Sequence, residues 1–85
     1  MTLFAILFEP DNEPMAAYVR ETFPAGFSPS PGQYLIQEDG VTSVQLAERV
    51  GQKGERGKFV IFAVDNYWGW HSKTLWEWLK ANAKS

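Results

Sequence analysis

Acid-base or metal chemistry in this chain of 85 residues would fall to ten carboxylates and one histidine, because the chain holds no cysteine. Glu9, Asp11, Asp39 and Asp65 each follow closely on an apolar run, where the loop after a strand would lie. Hard divalent cations such as magnesium take carboxylate oxygens, so these four could make a metal-dependent hydrolase or nuclease if the fold gathers them, with His71 as acid or base. No spacing motif marks such a site. Acidic residues are equally expected at helix starts, where caps and the helix dipole favour them. His71 is the only candidate for acid-base work near neutral pH, yet with no second histidine and no thiolate it cannot anchor an ordinary zinc ion. Ser72 follows it without the glycine elbow of a nucleophilic serine and is better explained as a helix cap. Gly51, Gly54 and Gly57 precede a strand rather than joining strand to helix, which fails the context of a phosphate-binding loop.

The aromatic residues offer binding rather than catalysis. They make up 15% of the chain, and all four tryptophans fall between Lys58 and Leu79 together with the histidine. Tyr67, Trp68 and Trp70 crowd a short turn around Gly69, so the three rings are not expected to reach inward together. An exposed Trp or Tyr buries a large area at small rotamer cost, which is why such residues dominate interfaces. Beside carboxylates they also suit a cationic group, through an attraction of about 0.5 to 2 kcal/mol.

Composition narrows the partners. A net charge of −2 supplies no broad positive field, which disfavours nucleic acid as a ligand, and stacking of single strands on the tryptophans would still need a basic groove. The opening apolar run is far shorter than the roughly 20 residues of a spanning helix and has no basic segment before it. The chain reads as soluble and cytoplasmic with no membrane partner, and the absence of cysteine fits a reducing compartment.

Six elements must position these residues. Leu3 to Phe8 is apolar on both alternating faces, the pattern of a strand covered on both sides. Asn12 can cap a helix with Glu13 and Pro14 in its first turn, after which Met15, Tyr18, Val19, Thr22 and Phe23 form one face and Pro24 ends it. Ala25 to Gly32 is a Pro/Gly/Ser loop whose Phe27 is expected to tuck against the body. Gln33 to Gln37 reads as an edge strand.

Asp39-Gly40 is a hairpin signal that could fold Val41 to Val44 back as a strand. Thr42 and Gln45, however, match a capping box, Leu46, Ala47 and Val50 share an arc, and Gly51 stands where a helix end wants glycine, so the helix is favoured. Gln52 to Gly57 is a polar turn and Phe59 to Val64 repeats the doubly apolar pattern. Ser72 or Thr74 caps a last helix facing inward with Leu75, Trp78 and Leu79, with Trp76 at the margin of that face.

This β-α-β-α-β-α order predicts a single α/β domain with a three-stranded, mostly parallel sheet, the alternative being an α+β fold with a mixed four-stranded sheet. Parallel strands would gather the acidic and aromatic loops at one rim and leave Lys53, Arg56 and Lys58 at the other. Ligands of open α/β sheets bind beyond the strand carboxyl ends. The expectation is a small non-enzymatic module, without cofactor, that binds a protein or peptide through Tyr67, Trp68, Trp70, His71 and Trp76, with Asp11, Asp39 and Asp65 selecting the partner. A homo-oligomer through this surface is a version of it.

Overall fold

The computed structural model describes residues 2–65, 69 and 71–82. The elements are β1 (Thr2–Phe8), α1 (Glu13–Thr22), β2 (Gln33–Glu38), α2 (Ser43–Val50), β3 (Phe59–Val64) and α3 (Lys73–Asn82), in the order that periodicity predicts. Caps set the helix starts. The Asn12 side chain accepts from the Met15 amide at 3.1 Å, and Thr42 and Gln45 close a reciprocal box at 2.9 and 3.2 Å. That box makes 43–50 a helix, and the Asp39-Gly40 hairpin with its fourth strand does not form.

The strand directions correct the expected fold class. The sheet order is β2-β1-β3, and β1 runs antiparallel to both neighbours, so the domain is α+β with an antiparallel sheet, not α/β with a mostly parallel one. An apolar pattern on both faces of a strand carries no information on its direction. Here the cover comes from a three-layer arrangement around an antiparallel sheet. β2 and β3 do run the same way, on either side of β1, with α2 between them in the chain.

Most of the core lies on one face. Phe4, Ile6, Tyr34 and Ile36 meet Met15, Val19 and Phe23 from α1 and its end, and Leu46 and Val50 from α2. The largest side chains with under 2% exposure, Phe4, Ile6, Met15, Val19, Ile36, Leu46 and Val50, all belong to this cluster. At about 1.5–3 kcal/mol for each buried large aliphatic or aromatic side chain, this face supplies most of the hydrophobic stabilisation. The second face has a smaller cluster, in which Leu75 and Leu79 of α3 close over Leu3.

Polar ties fix α1 to the α2–β3 segment. The Tyr18 hydroxyl donates to the Arg49 carbonyl at 2.8 Å, and the Asn12 amide donates to the Arg56 carbonyl at 2.9 Å. The Arg56 guanidinium lies 3.7 Å from the centre of the Tyr18 ring. Gly57 completes this junction at φ +133°, where an added Cβ would also collide with the Asn12 amide nitrogen, so both backbone and space call for glycine.

Candidate binding surface

The strand register sorts the residues expected to bind. Thr2 faces Glu38 and Leu3 faces Val64, which puts Asp39 and Asp65 beyond the same end of β1. Phe8 faces Phe59 at the other end, so Asp11 shares that end with Lys58. The single acidic rim is therefore divided: Asp39 and Asp65 stay together and Asp11 does not join them. All three are exposed. Among the described residues, no three His, Asp or Glu side chains are grouped to hold a metal ion.

Tyr67, Trp68 and Trp70 lie outside the described residues. His71 is exposed, and its Nδ1 accepts from the Ser72 amide at 2.8 Å. The Ser72 hydroxyl in turn accepts from the Leu75 amide at 3.3 Å. Ser72 is thus the cap of α3, occupied with holding the helix start rather than presented as a nucleophile. Trp76 is half-buried against the smaller cluster.

What the fold does bring together is a set of apolar side chains on the α3 side of the sheet. Side chains alternate across a strand, so Leu3, Ala5 and Leu7 share this face with Gln33, Leu35 and Gln37 of β2 and with Val60, Phe62 and Val64 of β3. α3 covers only part of it. Leu75 and Leu79 sit with Leu3, Leu35 and Val64, while Trp78 stacks on Phe27 with ring centres 6.0 Å apart and donates its indole N–H to the Ala25 carbonyl at 3.4 Å. These contacts draw the helix toward β2. Leu7, Val60 and Phe62 are left 40%, 44% and 52% exposed.

Two concavities border this open patch. A groove of about 360 Å³ beside α3 is lined by Leu3, Leu35, Val64, His71, Leu75 and Trp76. On the opposite face a groove of about 490 Å³ runs between α2 and β3, lined by Val44, Ala47, Phe59 and Ile61 among others. Val44 is 61% exposed. Both linings are mainly apolar and suit hydrophobic contact.

Of the residues expected to bind, His71 and Trp76 line the first groove; the exposed Leu7, Val44, Val60 and Phe62 were not among them. The available signal was the uncharged run Phe59 to Val64, which reads the same whether a strand is enclosed or left at an edge. The domain so defined is a small three-stranded antiparallel α+β unit with one sheet face half open. Set against known proteins, the chain matches no family model, and neither curated proteins nor solved structures give a significant match. No helix among the described residues is long and apolar enough to cross a membrane.

Proposed function

We propose that this chain is a non-enzymatic, cytoplasmic protein-interaction module that binds through the open half of its second sheet face and the groove beside α3. Trp76, with Tyr67, Trp68 and Trp70, which follow β3 in the sequence, contributes to the same interface. One observation carries the reading: Leu7, Val60 and Phe62 are adjacent, apolar and 40–52% exposed on a regular sheet. Isolated apolar residues are ordinary on surfaces, but a contiguous set on a flat element next to a groove has the character of an interface core. Asp39 and Asp65 stand at one end of this face, so the matching partner surface is apolar at its centre and basic at one margin. The four carboxylates of the metal-hydrolase alternative are split between the two ends of the sheet, and no observation favours that reading.

The test compares wild type with Phe62→Asp and Trp76→Ala after circular dichroism shows each variant folded. A partner captured from the source cell is purified and titrated against all three proteins. The expected result is at least a tenfold loss of affinity for Phe62→Asp and a smaller loss for Trp76→Ala, the charge being desolvated at the interface centre. Unchanged binding of every partner by both variants overturns the reading.

A further inference from the structure

The outer edge of β3 faces no other strand among the described residues. Its sequence, Phe-Val-Ile-Phe-Ala-Val, has no charge, proline or glycine. Natural sheets blunt such edges with lysine, proline, bulges or a covering segment, because an uncovered row of backbone donors and acceptors templates further pairing. None of these devices occurs within β3. The strand is flanked by exposed apolar side chains above and below the sheet, with Val60 and Phe62 on one face and Val44 of α2 on the other. An added strand would therefore gain contacts on both faces as well as a backbone ladder.

We propose that the strand added at this edge is β3 of a second copy of the chain, paired antiparallel about a two-fold axis normal to the sheet near Ile61 and Phe62. This names a partner for the interaction surface proposed above and rests on that reading. The charges at the strand ends select the occupant. Lys58 precedes β3 and Asp65 follows it, and both are exposed. Antiparallel pairing of two copies sets Lys58 of each one residue along the chain from the position opposite Asp65 of the other, at both ends of the joint, so the two differ in parity and attract across the strand ends rather than as a directly facing pair. Parallel pairing would set lysine beside lysine and aspartate beside aspartate. The edge is thus complementary to itself in charge as well as in apolar character.

An axis normal to the sheet keeps residues of like parity on the same face. Centred on Ile61, the register sets Phe62 opposite Val60 of the second copy. Centred on Phe62, it sets the two phenylalanines opposite each other. In both, the apolar faces join into one six-stranded sheet, with α2 of each copy on one side and α3 of each on the other. The contact belongs at the small end of interface sizes, so dissociation on the order of micromolar to tens of micromolar is expected.

Sedimentation equilibrium of the full chain, from about 1 µM to about 1 mM, brackets that range. The expected result is a rise in mass from the 9.7 kDa monomer toward twice that value. Phe62→Lys should weaken association at least tenfold, and Lys58→Glu about threefold by placing like charges across the joint. The decisive variant is Lys58→Glu combined with Asp65→Lys, which exchanges the charges and should restore wild-type association. A chain that stays monomeric throughout overturns self-pairing, as does a dimer indifferent to Phe62→Lys or one that the exchanged pair fails to rescue. The interaction-module reading fails separately, when Phe62→Asp and Trp76→Ala both leave binding of every other partner unchanged.

Discussion

The outer edge of β2 is closed by its own chain, whereas among the described residues that of β3 is not. Phe27 and Leu35 exchange backbone hydrogen bonds at 2.9 and 2.7 Å, which adds a one-residue bridge beyond β2. The Ser28 hydroxyl donates to the Gln33 carbonyl at 2.9 Å on the same side, and Trp78 stacks over Phe27. The side chains that β2 turns toward the second face alternate with glutamines, Gln33 and Gln37 flanking Leu35. Across β1 from these, β3 has Val60 and Val64 in place of the glutamines and Phe62 in place of Leu35, and among the described residues it has no strap. One sheet thus carries one edge finished for water and one with the composition of an interior strand. The proposed interaction surface rests on that difference rather than on any titratable group.

Removing the cover should have the largest effect. Phe27→Ala deletes the ring under Trp78 and loosens the bridge to Leu35, with an expected loss of about 2–3 kcal/mol for a half-buried aromatic. Chemical denaturation checks the loss. Hydrogen exchange in the same variant should quicken at the β2 amides more than at those of β3, and equal acceleration on both edges would remove the contrast.

Tyr34 holds the covered side from within. Its hydroxyl donates to the Phe23 carbonyl at 2.6 Å, tying β2 to the end of α1. Burial pushes its phenol above the usual value, against smaller opposing effects from Arg20 and a backbone hydrogen bond. A raised native value favours the neutral phenol, so this contribution is complete below the unfolded value of about 10 and is lost as pH rises through the higher native one. Tyr34→Phe leaves the Phe23 carbonyl without this donor and should cost about 1–2 kcal/mol at neutral pH. The gap in denaturation midpoint between wild type and Tyr34→Phe should narrow as pH is raised above 10. A gap that stays constant would mean the hydroxyl does not hold this side in its neutral form.

The helices were legible because caps are local chemistry. Asn12, the Thr42 and Gln45 pair and Gly51 each act within a few residues of chain, and all occupy their expected places. Strand direction was not legible, since Phe4 and Ile6 bury equally well in either sense. The consequence reached the candidate site directly: reversing β1 relative to its neighbours kept Asp39 near Asp65 and sent Asp11 to the far end. The open edge was hidden for a related reason. Phe59 to Val64 looks like the doubly covered β1, and only the position of α3, drawn aside by Trp78 and Phe27, shows which half of the face is bare.

The smallest expected effect is on the uncovered side, and it separates folding from association. Phe62 is 52% exposed, and replacing it with threonine keeps a residue of good strand propensity while removing apolar surface that water already reaches. Stability of the monomer should therefore change by no more than about 0.5 kcal/mol. Association should weaken in the same protein, because the lost ring would have been desolvated only in the complex. Denaturation of dilute Phe62→Thr, set beside sedimentation of the concentrated protein, reads both quantities on one sample. A loss of stability comparable to that of Phe27→Ala would show that Phe62 supports the fold itself. The two edges would then differ in composition without differing in role.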